Sequence, residues 1–224
     1  MRLNMLLIEG NREYEKMNDV IPIRARTHYL TEQFLYFFSK IDLDGNSKLV
    51  ICFEEKPKDK KKYLRDEYFH VSIFYVDKDV LEQFKILEKN EFDEYFLAII
   101  VDACSYIARM NGKDKEVMDR IEQAANMIRA NKFDFIILQK KLSKVSQDKR
   151  FRAKVYRILN CLGELWYVEI EDKKSKNITR YELMDQYTNI SKEDFYKKAS
   201  WQDSKYILKD RLDRETAIIE VKYT

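Results

Sequence analysis

Glycine is scarce in this chain of 224 residues, which has only Gly10, Gly45, Gly112 and Gly163, against a usual share of about 7 per cent. A phosphate-binding loop needs clustered glycines, because the backbone N–H groups must approach the ligand closely. No two of these glycines are close enough in the sequence for a Walker-type or a dinucleotide-type loop. We therefore expect neither a mononucleotide enzyme nor an NAD enzyme of the common types.

Cysteine and histidine are also rare. Cys52, Cys104 and Cys161 are odd in number and widely spaced, which fits neither a disulfide framework nor a zinc site. Cys52 and Cys104 fall in apolar patterns and are expected in the core. His28 and His70 have no cysteine or carboxylate at ligand spacing, and no motif marks a nucleophile for them to activate. We therefore predict a protein that is not an enzyme, binds no metal or cofactor and resides in a reducing compartment.

Long apolar runs are absent as well. The longest strongly apolar one, residues 96–101, is too short to span a bilayer, and the N-terminal segment is too short for a secretory signal. Hydrophobic residues nevertheless make up 45 per cent of the chain, which is enough to fill a core. We expect a cytoplasmic protein without a membrane partner, folded as one large domain or two smaller ones.

The first half of the sequence changes between the periodicities of strands and helices, which predicts an α+β fold. Strands are predicted at residues 2–9, 48–54 and 67–76, and the second is apolar on both faces, as in the centre of a sheet. The segment 42–47 has the pattern of a turn and lacks the spacing of a calcium loop. Helices are predicted at residues 27–41, from Asp77 with Val80, Leu81, Phe84 and Leu87 on one face, at 92–110 with Gly112 as C-cap, and at 117–128.

The second half is predicted to be helical except for one hairpin and a terminal strand. The helices are predicted at residues 133–145 and 151–162, from the capping-box pattern at Ser191, and at 201–212. The strands are predicted at residues 165–171 and 178–183, joined by a tip at 172–177, and at 217–223. A domain boundary is expected near Gly112, between an α+β lobe and a helical lobe that carries the hairpin.

Basic charge is concentrated at residues 132–180, which contain thirteen basic and six acidic side chains. The predicted order of helix, turn, helix and hairpin over residues 133–183 resembles a winged-helix domain. The resemblance implies that the second helix and the hairpin tip contact DNA. The candidate residues are Lys149, Arg150, Arg152, Lys154 and Arg157 on the helix, and Lys173, Lys174 and Lys176 at the tip. The alternative is that these are the solvated charges of a lysine-rich protein.

Residues 77–102 have the opposite sign, with eight acidic and three basic side chains. The candidate contact residues are Asp77, Asp79, Glu82, Glu88, Glu91, Asp93 and Glu94. An acidic surface of this kind suits an inhibitor that mimics phosphates towards a nuclease toxin, whereas the alternative is a solvated pair of amphipathic helices. The organisation of the whole chain resembles the immunity proteins with which bacteria neutralise toxins. That resemblance implies a cognate protein partner.

The C-terminal Glu220-Val221-Lys222 resembles the E-x-K element of restriction-type nucleases, in which the Glu holds a metal ion and the Lys contacts the attacking water. Asp210 or Asp213 would supply the second carboxylate. The solvent face of an ordinary terminal strand has the same pattern. We rank an inhibitory protein-binding function first, DNA binding second and metal-dependent cleavage of nucleic acid third.

Overall fold

The structure is a computed structural model, and the residues that it describes are 1–10, 22–38, 41–54, 62–77 and 89–221. It divides into two compact units, Met1–Phe135 and Ile136–Thr224. The described residues contain three helices and twelve strands, so the predicted α+β class is confirmed. The units divide at Phe135 instead of near Gly112, because the helix that follows Gly112 contacts both preceding helices of the first unit.

The first unit contains a four-stranded sheet. Its strands are β1 (Met5–Glu9), β2 (Lys48–Phe53), β3 (Tyr63–Asp66) and β4 (Val71–Val76). Their order is β1-β2-β4-β3, in which β1, β2 and β4 are parallel and β3 is antiparallel to β4. Leu49, Ile51 and Phe53 of β2 are buried, as is Val50 on the other face. The prediction that this strand is central is therefore confirmed.

Three helices pack in the same unit: α1 (Ile23–Phe37), α2 (Lys89–Met110) and α3 (Lys115–Ala130). The chain reverses after α2 at Gly112, whose φ of 64° is left-handed. The Gly112 N–H donates to Arg109 O and the Lys113 N–H to Ala108 O, which is the Schellman arrangement. Asp114 then caps α3 by accepting the Val117 N–H at 3.1 Å. The predicted helices and the glycine C-cap are confirmed here.

Other predictions for the first unit need correction or are not covered. Residues 67–76 are not one strand, because residues 67–70 form the turn between β3 and β4. His70 lies exposed in that turn with a φ of 53°, and not in a strand. Cys104 is fully buried, whereas Cys52 is only partly buried. The helix predicted from Asp77 lies outside the described residues, apart from Asp77 itself.

The second unit consists of two antiparallel sheets packed on one core. The larger sheet has the order β5-β7-β8-β9, with β6 beside β7, and the smaller has the order β10-β11-β12. The strands are β5 (Phe135–Leu138), β6 (Lys144–Val145), β7 (Phe151–Asn160), β8 (Gly163–Asp172), β9 (Ile178–Glu182), β10 (Lys198–Gln202), β11 (Lys205–Lys209) and β12 (Glu215–Glu220). The shared core contains Phe151, Trp166 and Val168 from the larger sheet, and Trp201 and Tyr206 from the smaller.

The helices predicted at residues 133–145 and 151–162 are wrong, since these segments form β5, β6 and β7. In β7, the buried Phe151, Ala153 and Val155 alternate with Arg152 and Lys154 on the other face. A winged-helix domain requires both helices, so the predicted helix order is absent from residues 133–162. The helices predicted from Ser191 and at 201–212 are wrong as well, because the chain there forms turns, β10 and β11.

Two predictions for the second unit are correct. The hairpin predicted at residues 165–171 and 178–183 is formed by β8 and β9, which pair antiparallel around the expected tip. The terminal strand predicted at residues 217–223 corresponds to β12, as far as the structure describes it. The prediction of the terminal strand used the period-two alternation of residues 217–223.

Candidate binding surfaces

The predicted acidic surface is described only in part. Asp79, Glu82 and Glu88 lie outside the described residues. Asp77 is exposed directly after β4, and Glu91 is exposed in the first turn of α2. The structure therefore places exposed carboxylates on two different elements of the first unit and gives no description of the residues between them.

Asp93 does not belong to any exposed acidic surface. It is only 2 % exposed, and the Tyr29 hydroxyl of α1 donates a hydrogen bond to its carboxylate. Asp93 lies on the inner face of α2, which also buries Phe96 and Leu97 three and four positions later. The prediction that Asp93 contacts a partner is therefore wrong, and the spacing of Asp93 from Phe96 and Leu97 in the sequence already indicates the buried face of a helix. Glu94, by contrast, is exposed and forms a 2.9 Å ion pair with Arg129 of α3.

Three of the five basic residues predicted on a helix, Arg152, Lys154 and Arg157, lie instead on the two faces of β7. Arg152 and Lys154 point to the outer face, where they stand opposite Glu171 and Glu169 of β8. Arg152 and Glu171 are 3.9 Å apart at their charged atoms. Each of these cations thus stands opposite a carboxylate in the register of the sheet, so charges of opposite sign alternate on the outer face.

Arg157 points to the inner face and is 2 % exposed, so the prediction that it contacts DNA is wrong. Its guanidinium forms ion pairs with Glu164 of β8 at 2.5 Å and with Glu193 at 2.8 Å. The Glu164 carboxylate also accepts the indole N–H of Trp166 and, at 2.7 Å, the backbone N–H of Lys192. This buried network attaches the segment after β9 to the β7–β8 hairpin.

The remaining basic candidates are brought together by two neighbouring turns. Lys149 and Arg150 lie in the turn before β7, and Lys173, Lys174 and Lys176 lie in the turn between β8 and β9. The turns are adjacent because Phe151 pairs with Asp172, and the Lys173 N–H donates to Arg150 O at 2.9 Å. We call residues 146–150 and 173–177 together the basic double turn.

Asp172 holds the basic double turn together. Its carboxylate accepts the Arg150 guanidinium at 2.9 Å and the Lys174 backbone N–H at 2.8 Å. The charged hydrogen bond from Arg150 is the largest effect on this carboxyl group, and it lowers the pKa of Asp172 from 3.8 to about 2, although partial desolvation opposes the shift. The Asp172 carboxylate is therefore charged, and can accept both hydrogen bonds, at pH values above its pKa of about 2.

The lowered pKa of Asp172 predicts how the stability of the basic double turn depends on pH. Because the folded pKa lies below the ordinary value of 3.8, the stabilisation by Asp172 is complete above 3.8 and is lost as the pH falls through about 2. We expect the backbone amide signals of Lys174 to titrate with a midpoint near 2 when NMR spectra are followed from about pH 5 to about pH 1.5. The Asp172→Asn variant should lack this titration, and a midpoint near 3.8 in the unaltered protein would contradict the proposed contact.

The structure also reveals an exposed aromatic pair that the sequence did not indicate. Tyr68 and Phe69 lie in the turn between β3 and β4 and are 85 % and 70 % exposed. Their rings contact each other edge to face, with 4.8 Å between the centroids. Both backbone N–H groups donate to the Asp66 carboxylate at 3.0 Å, so the turn is fixed by a side-chain cap. We call residues 66–70 the aromatic turn.

The far side of the aromatic turn is fixed as well. The carbonyl of His70 accepts the N–H groups of Ser47 and Lys48, at 3.2 Å and 3.3 Å. We missed this turn because residues 67–76 were assigned to one strand. The signal that the sequence contains is Asp66, whose carboxylate is suited to accept hydrogen bonds from the amides two and three residues later.

The C-terminal E-x-K element is only partly described. Glu220 is exposed at the end of β12, and Lys222 lies outside the described residues. The Asp210 carboxylate is buried and accepts the Arg214 guanidinium at 2.7 Å, while Asp213 forms an ion pair with a lysine of β10. Within the described ranges, no group of three or more His, Cys, Asp or Glu side chains is arranged to hold a metal ion.

Comparisons with known proteins identify no relative of this chain. No protein-family model matches the chain, and neither the curated proteins nor the solved structures contain a match to it. Of the helices in the described part of the chain, none is long and apolar enough to cross a membrane.

Proposed function

We propose that this protein is a non-catalytic inhibitor of the immunity type, which neutralises a cognate protein toxin by binding it. The observation that carries the proposal is the aromatic turn, where Tyr68 and Phe69 are presented to solvent. Tyrosine and other aromatic residues are enriched at protein interfaces and supply many of the residues that dominate binding energy. The aromatic turn is therefore the proposed anchor for the partner.

The aromatic turn favours binding because it is already ordered in the free protein. Asp66 fixes the two amides of the turn, and the contact between the Tyr68 and Phe69 rings restricts their rotation. An interface loop that is already ordered loses less conformational entropy on association. Neither ring is buried in the fold, so both apolar surfaces remain available to a pocket on the partner.

The exposed carboxylates fit this proposal as a second and separate contact. Asp77 follows β4, whereas the aromatic turn precedes it, and a strand of six residues is about 20 Å long. A partner of ordinary interface size reaches both ends of such a strand. Asp77 is then suited to steer a basic partner towards the surface, while Tyr68 and Phe69 supply the binding energy.

The proposal is tested with the product of the gene next to the one that encodes this chain. If that product is a toxin, the two proteins should co-purify, and calorimetry gives the Kd. We expect Tyr68→Ala and Phe69→Ala each to raise the Kd about 30-fold, which corresponds to about 2 kcal/mol for an interface anchor. The reason is that each substitution removes an aromatic side chain that only the partner would bury.

A matched control is available in the second unit. Leu162 and Ile190 are 62 % and 71 % exposed, so Leu162→Ala and Ile190→Ala remove exposed apolar side chains from the second unit and leave the aromatic turn unchanged. These variants should leave the Kd unchanged. A Kd that is insensitive to both aromatic substitutions would exclude the aromatic turn as the anchor, and a solitary gene without a neighbouring toxin would count against the immunity role.

A further inference from the structure

We infer that the basic double turn of the second unit binds the phosphate backbone of nucleic acid without reading its sequence. This function is independent of the protein-binding role proposed for the first unit. It does not depend on a winged-helix fold, since the cations lie on two turns at one end of a β-sheet. The inference follows from their placement, from their lack of ion pairs and from the composition of the surface around them.

The placement results from the antiparallel pairing of β7 with β8. Register pairs Phe151 with Asp172, the first residue of one strand with the last of the other, so the turns before β7 and after β8 meet at the same sheet end. The Asp172 carboxylate joins them through Arg150 and the Lys174 amide. Lysines more than twenty positions apart in the sequence therefore share one rigid surface.

Four of these cations have no ion-pair partner in the described part of the chain. Lys149, Lys174 and Lys176 are exposed and Lys173 is partly exposed, and no described carboxylate lies within ion-pair distance of them. The carboxylates of Asp148 in the double turn and of the adjoining Asp172 are used internally instead. Asp148 accepts the Ser146 hydroxyl at 2.6 Å and the Arg150 backbone N–H at 3.0 Å, and Asp172 accepts the Arg150 guanidinium and the Lys174 backbone N–H.

The composition of the double turn favours a phosphate backbone over an acidic protein surface. Its ten residues are Lys, Arg, Asp, Ser, Gln and Asn, so the turns themselves offer no aromatic or aliphatic anchor, and the exposed Val145 and Ile178 belong to the adjoining strands. The centres of protein interfaces are depleted in lysine and depend on such anchors. Nucleic-acid binding without sequence preference depends instead on ammonium groups that neutralise phosphates and release counterions.

The arginine of the double turn explains why the sequence would not be read. Arginine specifies a base by donating two hydrogen bonds to guanine in the major groove. The Arg150 guanidinium already donates two hydrogen bonds to Asp172, at 3.3 Å and 2.9 Å. The remaining cations are lysines, which act as point charges towards phosphates. Affinity should therefore be similar for duplexes of different sequence.

The test is the salt dependence of binding by the full chain to a labelled duplex of about 20 base pairs, measured by fluorescence anisotropy. Four neutralised phosphates predict a slope of about −3.6 for log K against log salt, and thus about 150-fold weaker binding at about 200 mM than at about 50 mM salt. The variant with Lys149→Gln, Lys173→Gln, Lys174→Gln and Lys176→Gln should lose most of this slope and bind weakly at both concentrations.

The control variant removes the same charge elsewhere in the same unit, through Lys197→Gln, Lys198→Gln, Lys205→Gln and Lys209→Gln. Three of these lysines form ion pairs within the unit. The control should keep the slope of the unaltered protein. The inference is overturned if both variants behave alike, if the duplex is not bound at low salt, or if poly-glutamate binds in place of the duplex.

Discussion

Arg157→Met is expected to destabilise the second unit by about 3–5 kcal/mol, the usual cost of removing one partner from a buried ion pair. Arg157 is 2 % exposed and Glu164 is fully buried, and their charged atoms are 2.5 Å apart. Without the guanidinium, the Glu164 carboxyl group loses its buried cationic partner, whereas the Trp166 indole and the Lys192 amide that donate to it are neutral. Such a carboxylate is expensive to bury, since neutral hydrogen bonds only partly replace its hydration.

A second substitution should restore most of this loss. In the double variant Arg157→Met with Glu164→Gln, the buried charge is absent, and the amide oxygen still accepts the Trp166 and Lys192 N–H groups. We expect the double variant to be within about 2 kcal/mol of the unaltered protein, because the replacement of a whole buried pair is often nearly neutral. Loss of the pair with Glu193 should add little, since that side chain is half exposed.

The measurement is urea unfolding of the full chain followed by tryptophan fluorescence. Trp166 and Trp201 are the two tryptophans of the sequence, and both lie in the core of the second unit, so the signal reports that unit. The expected pattern is a large loss in the single variant and a recovery in the double variant. If the double variant is as unstable as the single one, the loss of stability arises from the missing packing of the arginine side chain and not from the loss of the cationic partner of Glu164.

Gly163→Ala is the second substitution with a large expected effect, a loss of roughly 3 kcal/mol in the same unfolding experiment. Gly163 has a φ of 118°, in the left-handed half of backbone space, where an L side chain is strained. A Cβ at this position would lie 2.4 Å from Thr188 O and 2.9 Å from Thr188 C. These are backbone atoms, so they cannot move aside as a flexible side chain would.

A shift of the Thr188 backbone away from the new Cβ would also break a backbone bridge. The Glu164 N–H donates to Thr188 O at 2.7 Å, and the Thr188 N–H donates to Glu164 O at 2.9 Å. This bridge positions the segment after β9 beside the Arg157–Glu164 pair. The substitution should therefore weaken both the bridge and the buried network, although it changes neither charged residue.

Gly112→Ala serves as the matched control. Gly112 also has a left-handed φ, of 64°, but no heavy atom lies within 4 Å of a Cβ built there. The Gly112→Ala variant should lose only about 1 kcal/mol of unfolding free energy, the cost of backbone strain alone. Because Gly112 follows a helix of the first unit, the unfolding of this unit is followed by circular dichroism. Equal losses for the two alanine variants would contradict the proposed clash with Thr188.

Sequence patterns predicted the surfaces only where local signals were unambiguous. The hairpin tip with Lys173, Lys174 and Lys176 was predicted at the observed position, because turn residues separate two alternating strands. A turn before Phe151 was predicted too, but between two helices, and Lys149 was assigned to the second of these helices. That the two turns share one surface depends on the pairing of β7 with β8, which no local pattern specifies. The exposure of Tyr68 and Phe69 likewise depends on how β3 pairs with β4.

The sequence by itself determined the elements whose hydrogen bonds are local. Asp114 and Gly112 delimit the helices around them, because a cap and a left-handed glycine act within a few residues. The tertiary structure alone decided the state of residues 151–160. Phe151, Val155 and Ile158 fit helical spacing, while Phe151, Ala153 and Val155 fit a strand, so the pattern was ambiguous. A strand requires hydrogen bonds from a distant segment, and pairing with β8 satisfies both its backbone and the buried charge of Arg157.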